Sequence, residues 1–290
     1  MALHIWRNLR TDLPEDWELL QFSRSSDEGR CAFADRYDFR FELSWREVPG
    51  PPDFDRMMSD YESKLKEQGV PNTKHVSIGE WQGLETRNNG SSSSRYGRYF
   101  PEESCLVEGV FPWPHGRRDR KLARRVLESI NVEPSGVGDM RRWRVFGMDF
   151  LVSNGLALEE CSFLPGKAEM SFSDPKGRSI ERFTRLGMVD DWLRGTVVDW
   201  LKAQFDERDE VTRRETTRVN GHAIEQVHVT HTRKGANKVH IRRRKSRAAA
   251  WICPSSGRLY CVKIQGAWKK GQEGPAAVDR MACCPAKELG

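Results

Sequence analysis

The feature that most restricts how this chain can fold is a succession of local signals repeated on either side of Pro134-Ser-Gly-Val-Gly138. Before that Gly-rich stretch, runs of β-forming composition cover residues 17–22, 30–34 and 37–45. In the last of these, Phe39, Phe41, Leu43 and Trp45 alternate onto one face. Pro51-Pro52-Asp53 then introduces Phe54, Met57, Met58, Tyr61 and Leu65 at helical spacing, closed by Gly69. Apolar runs at 76–78, 83–86, 96–100 and 106–111 precede a second helical pattern, Leu122, Val126, Leu127 and Ile130. After the Gly-rich stretch the plan returns. β-type runs at 143–150, 156–163, 168–172 and 180–186 are followed by a helical face from about Asp190, carrying Leu193, Val197, Trp200, Leu201 and Phe205. Runs at 223–231, 248–253 and 259–264 lead to a short helical stretch at 276–282. Details align too: Gly83-Leu84-Glu85 with Ala223-Ile224-Glu225, Phe100-Pro101 with Cys253-Pro254, and Trp113 to Leu127 with Trp268 to Ala282.

Strands that come in runs joined by short links pair antiparallel, whereas strict strand–helix alternation would build a parallel sheet. The expected class is therefore α+β, with two tandem related domains. Each would be an antiparallel β-sheet packed with one long and one short helix. The boundaries expected are 1–135, a Gly-rich linker at 136–140, and 141–290 with a basic hairpin loop at 233–247. Ten Trp and 13 Phe exclude a disordered chain despite 31% charged residues. No uncharged apolar run approaches the ~18 residues of a membrane span, and the first residues lack the apolar stretch of a secretory signal. Seven cysteines without a CxxC spacing fit reduced thiols, not a stapled scaffold or a zinc ribbon. A soluble, cytoplasmic protein is the expectation.

The order of elements resembles that of the photosystem II extrinsic subunit PsbP, the bacterial DcrB-like proteins and the DUF1795-type Eag chaperones of type VI secretion. Leu13-Pro14-Glu15-Asp16-Trp17 opening a strand, the helix after the strand ending at Trp45, the strand from Gly79 to Glu85, and Val126-Leu127-Glu128-Ser129-Ile130 carry the resemblance. It covers residues 10–131 and, with a different opening at Gly147-Met148-Asp149-Phe150, residues 141–284. The resemblance implies a non-enzymatic scaffold that holds or assembles other proteins.

Charge is unevenly spread. Residues 1–137 hold 20 Lys and Arg against 23 Asp and Glu, whereas the remainder holds 28 against 19. Arg233, Lys234, Lys238, Arg242, Arg243, Arg244, Lys245 and Arg247 fall within fifteen residues that contain no acid. Such density repels itself unless a polyanion is near, so these eight are the candidate surface for an acidic protein partner or for nucleic acid, the plain alternative being a solvated loop that only aids solubility. His222, His228, His231 and His240 lie near Cys253 and Cys261. Strand parity puts His231 on the opposite face from His222 and His228, and no paired chelate is present, so neither metal nor cofactor is expected. Cys253 and Cys261 flank a hairpin turn and could approach one another. The Cys283-Cys284 pair reads as packing at the end of the last helix. Carboxylate pairs such as Glu102-Glu103, Glu159-Glu160 and Asp190-Asp191 fit loops and helix starts, and no phosphate loop, nucleophile elbow or HExxH is present. No catalytic residue is assigned. The expected function is a cytoplasmic adaptor or chaperone-like protein that binds a protein partner, such as a secretion effector. The alternative is a nucleic-acid-associated subunit of a defence or phage complex, acting through 233–247.

Overall fold

The computed structural model describes residues 1–25, 27–70, 72–88, 90–114, 118–133, 140–219, 221–234, 241–266, 268 and 276–284, with the side chains of 232–234 and 241–243 excepted. The chain divides into two compact units, Met1–Val137 and Gly138–Gly290. Antiparallel sheets dominate both, and helices are few.

In the first unit, β1 (Ala2–Trp6), β2 (Leu9–Leu13) and β10 (Asn131–Val132) form a ladder in the order β10-β2-β1. The strands β3 (Glu18–Phe22), β4 (Glu28–Ala34), β5 (Phe39–Glu47), β6 (Thr73–Ile78), β7 (Trp81–Asn88), β8 (Ser91–Phe100) and β9 (Cys105–Trp113) form a seven-stranded sheet. Its order is β3-β4-β5-β9-β8-β7-β6. Helix α1 (Phe54–Glu67) starts where the Asp53 carboxylate accepts from the Arg56 N–H, and it covers one sheet face, with Phe54 against Gly97 and Tyr61 under Arg95. A Cβ on Gly97 would lie 3.1 Å from the Phe54 ring, a tight contact that the ring would have to give way to by a few tenths of an ångström. The other face packs on Leu127 of α2 (Arg120–Ser129) and on the β1–β2 hairpin, where Trp6 meets Phe22 at 4.9 Å and His4 meets Phe33 at 5.6 Å. Local pattern does not signal this hairpin, because its strands are only five residues long each, although Leu9, Thr11 and Leu13 alternate inwards once it is paired.

The second unit has a ladder of β11 (Met140–Val145), β12 (Met148–Ser153) and β20 (Met281–Ala282). Its seven-stranded sheet consists of β13 (Ala157–Leu164), β14 (Lys167–Ser173), β15 (Ile180–Leu186), β16 (Glu210–Val219), β17 (His222–Lys234), β18 (Ile241–Cys253) and β19 (Arg258–Gly266). The order is β13-β14-β15-β19-β18-β17-β16, the strand order of the first unit counted from its own start. Both edge strands even carry a register shift at the same place, after Leu19 in β3 and after Leu158 in β13. The core lies between sheet and ladder: Phe150 stacks on Phe183 at 4.2 Å, Trp143 meets Phe172 edge-on at 5.0 Å, and all four are at most 1% exposed.

Several expectations are corrected. The run 143–150 is two strands, because Phe146 and Gly147 take left-handed conformations and turn the chain back. The long helix expected from Asp190 is two short ones, α3 (Val189–Trp192) and α4 (Val197–Lys202). Gly195 at φ +97° breaks it, and Thr196 then caps a new start by accepting from the Asp199 N–H. The helix expected at 276–282 is a 3-10 turn, Val278–Arg280, followed by β20. A stretch this short cannot hold a helix unaided, and Met281 is drawn into pairing with Phe150. Ladder register pairs Gly83 with Tyr96 and Gln226 with Ala249, each next to a β9 or β19 residue, Gly109 or Val262. Gln226, not Ala223, is therefore the counterpart of Gly83. Phe100 and Cys253 do correspond, since each pairs across a four-residue turn, with Cys105 and Arg258. Most of the expected linker at 136–140 lies outside the described residues, and Met140 already begins β11.

Candidate functional site

The described parts of the basic stretch, 233–234 and 241–247, are paired strand, and 235–240 lie outside the described residues. β17 runs through Lys234 and β18 starts at Ile241, so Arg233 pairs with Arg242 and Thr232 with Arg243 within a ladder. The thirteen-residue strands continue into the charged segment because ladder pairing satisfies its backbone N–H and C=O groups whatever the side chains. Lys238 lies outside the described residues, as do the side chains of Arg233, Lys234, Arg242 and Arg243. Arg244, Lys245 and Arg247 are half-buried. Strand alternation sends Arg244 to one face and Lys245 and Arg247 to the other. Of the three cations whose side chains are described, Arg244 therefore does not share a face with Lys245 and Arg247.

His231 is held on both sides: its Nδ1 lies 2.7 Å from the Asp209 carboxylate and its Nε2 2.6 Å from Ser246 Oγ. Hydroxyl, imidazole and carboxylate in that order are the parts of an activated nucleophile. Ser246, however, is 1% exposed on an interior strand between β17 and β19, so no substrate carbonyl can reach it. The relay satisfies polar groups buried near Phe205. Sequence reading missed it because the three residues are joined only by ladder register.

Cys253 and Cys261 do not approach one another. Cys261 pairs with Ala250 and packs on the helix side with Val189 and Leu201, while Cys253 points to the opposite face. There the structure gathers His222, Cys253, Cys283 and Cys284, with all four donor atoms within 4.8 Å of one another. His222 Nε2 lies 3.2 Å from Cys283 Sγ and 3.5 Å from Cys284 Sγ. Cys253 Sγ is 3.5 Å from Cys284 Sγ, and the two vicinal sulfurs are 3.9 Å apart. His222 opens β17 directly after Gly221, whose φ of +80° makes the turn, and Cys253 closes β18. The vicinal pair follows β20 on a segment that buried Arg280 anchors to Glu181 and Ser153. Burial raises the Cys253 thiol, but hydrogen bonds with His222, Ser256 and Cys284 outweigh it and bring the group below its ordinary range. Burial and the neighbouring Cys253 push Cys283 up. Among the sequence-predicted histidines only His222 belongs here. His228 faces Arg247 across the ladder, His231 is in the relay, and His240 lies outside the described residues. The assignment of Cys283 and Cys284 to a helix hid the cluster, which a vicinal cysteine pair in a thiol-rich C-terminal region could have signalled.

A shallow depression of ≈ 550 Å³ in the first unit is lined by Arg24, Arg30, Arg46, Glu28 and Glu108 around Trp45, without a convergent set of reactive groups. Large exposed apolar side chains include, in the first unit, Leu20 on the edge strand β3 (58% exposed), Tyr37 in the β4–β5 turn and Phe39 at the start of β5, and in the second Phe163 and Leu164 on the edge strand β13, Met188 after β15 and Val219 on the opposite edge strand β16. Otherwise the opposite edges, β6 and β16, present Lys74, His75, Arg213 and Arg214.

No family model matches the chain, and no curated protein matches it. Among solved structures, it is similar to the apo form of TplEi, an immunity protein of the type VI secretion system from Pseudomonas aeruginosa. The TM-score is 0.40 and the identity 10%, over 95% of this chain and 89% of that one. It is similar to cyanobacterial PsbP from Synechocystis, with TM-score 0.34 and 19% identity over 47% of this chain and 85% of that one. A protein from Bacteroides thetaiotaomicron gives TM-score 0.29 and 17% identity over 48% and 50%. Among the described residues no helix is long and apolar enough to cross a membrane.

Proposed function

We propose that the chain is a non-enzymatic adaptor, built from two copies of one PsbP-like unit, that docks an extended segment of a protein partner on the outer strand of its seven-stranded sheets. One observation carries this reading: Leu20 on β3 and Phe163 with Leu164 on β13 are large apolar side chains exposed on outer strands, whereas the outer strands β6 and β16 expose mainly polar and charged residues, with Val219 at the end of β16 the large apolar exception among the described residues. An edge strand offers unpaired backbone N–H and C=O groups, and proteins commonly blunt such edges with charge. An edge left apolar suits strand addition, in which main-chain hydrogen bonds give affinity and side-chain contacts such as those at Leu20 and Leu164 give selectivity. The coincident strand order and matching bulges support duplication. The burial of Ser246 supports the non-enzymatic reading.

The test places a photoreactive phenylalanine at Leu20, at Leu164 and, as a control, at Arg213 on β16, followed by irradiation of cells that natively produce the protein. A discrete protein adduct at Leu20 or Leu164 and none at Arg213 is expected. Equal labelling at all three, or no adduct at any, would remove the edge-docking reading.

A further inference from the structure

We infer that His222, Cys253, Cys283 and Cys284 bind one zinc ion in a closed Cys3His site that fastens the C-terminal strand to the second unit. The separations of the donor atoms fit the ion. Tetrahedral zinc with Zn–S near 2.3 Å and Zn–N near 2.0–2.1 Å requires sulfur–sulfur edges of about 3.8 Å and sulfur–nitrogen edges of about 3.6 Å. Here the sulfur–sulfur separations are 3.5 and 3.9 Å and the nitrogen–sulfur separations 3.2 and 3.5 Å. The other two pairs lie within 4.8 Å, so closing the tetrahedron takes about 1 Å of side-chain movement. Three thiolates and an imidazole select a borderline-soft, tetrahedral cation over calcium or magnesium, which take oxygen ligands. Four protein ligands leave no open position, so the site is structural, without a place for substrate.

The fold gives such a site a task. β20 is two residues long and follows a single 3-10 turn. In the first unit the corresponding strand, β10, follows the ten-residue α2, whose Ala123, Val126 and Leu127 are buried. Where the second unit has Cys253, the first has Phe100, packed edge-on against Trp81 at 6.3 Å. Arg10 faces Asn131 as Asp149 faces Ala282, so Val132 stands where Cys283 does. The first copy closes its end with apolar packing. Among the described residues the second has a 3-10 turn before β20, and ligands at the same place from the start of β17, the end of β18 and the C-terminal segment. Zinc would join three chain positions that a two-residue ladder joins only weakly.

The test is made on the full chain, expressed in zinc-replete medium and purified with a non-chelating reductant. Metal analysis should find about one zinc per chain. Cobalt titrated into metal-stripped protein should give the thiolate-to-cobalt charge-transfer band and the intense visible bands of tetrahedral coordination. Cys253→Ser and Cys284→Ser should weaken cobalt and zinc binding by more than the ~10–100-fold that loss of a mere outer-shell partner costs, whereas Cys261→Ser, on the opposite face, should leave stoichiometry unchanged. Absence of stoichiometric zinc together with a featureless cobalt titration of the wild-type chain overturns the proposal without relying on any variant's folding. So does a Cys253–Cys284 disulfide that persists in the reductant. Photocrosslinking at Leu20 and Leu164 reads a different surface, so either inference can fail alone.

Discussion

Glu181→Gln isolates the interaction that holds the C-terminal segment in place. The Glu181 side chain is 3% exposed, accepts from the Ser153 N–H at 3.0 Å and Oγ at 2.5 Å, and lies 3.7 Å from Arg280 Nη2, whose own side chain is 9% exposed. Burial lowers the pKa of Arg280, and Glu181 counteracts that shift. Gln keeps the volume and one acceptor but removes the charge. At an effective dielectric of about 20, two unit charges 3.7 Å apart interact by roughly 4–5 kcal/mol gross. Relief of the carboxylate's own desolvation offsets part of this, and stranding one partner of a buried pair typically costs about 3–5 kcal/mol. Arg280 retains contacts with Ser153 and Met140, so a loss near the lower end, about 3 kcal/mol, is expected. For a unit of this size that corresponds to a melting-temperature drop of about 6–12 °C. Urea denaturation followed by tryptophan fluorescence, with Trp143 and Trp251 buried in the same unit, measures it. A cycle with Arg280→Met should give a coupling of about 2 kcal/mol or more. A Glu181→Gln variant within about 0.5 kcal/mol of wild type, the range of ordinary surface substitutions, would refute the reasoning.

Burial alone would raise the Asp35 carboxyl, but N–H groups of Asp38 and Tyr37 and the Arg40 guanidinium outweigh it and hold the group below its ordinary 3.8. Its stabilising contribution is therefore present above that value and lost as pH falls through the lower folded one. Asp35→Asn should differ from wild type at neutral pH and converge with it in acid, as followed by denaturation across pH. Burial pushes the thiols of Cys105 and Cys261 up to about 11 and about 12. Mass-mapped alkylation of the native chain at neutral pH should spare both, while Cys253, Cys283 and Cys284 become reactive once metal is stripped. Ser246→Ala should cost about 1–3 kcal/mol by leaving His231 Nε2 without its partner, and a fluorophosphonate probe should not label Ser246; labelling would point to an enzyme. The chain is expected to give no salt-sensitive retardation of DNA or RNA. A shift abolished by reversing the charges of Arg242, Arg243 and Arg244 would favour the nucleic-acid alternative.

Local pattern was enough to place most strands, α1 and α2, and the parity that separates His231 from His222. Alternation and helical spacing are properties of consecutive residues, and Phe39 to Trp45 or Phe54 to Leu65 display them whatever surrounds them. Local pattern failed where long-range pairing competes with weak propensity. Met281 joins a ladder instead of a helix, Gly195 divides a continuous apolar face, and Arg233, Lys234 and the basic residues from Arg242 to Arg247 are carried on paired strands. The meeting of His222, Cys253, Cys283 and Cys284 was beyond any sequence window. It depends on the crossing of three strand ends separated by up to 62 residues of chain, and only tertiary structure sets which ends cross.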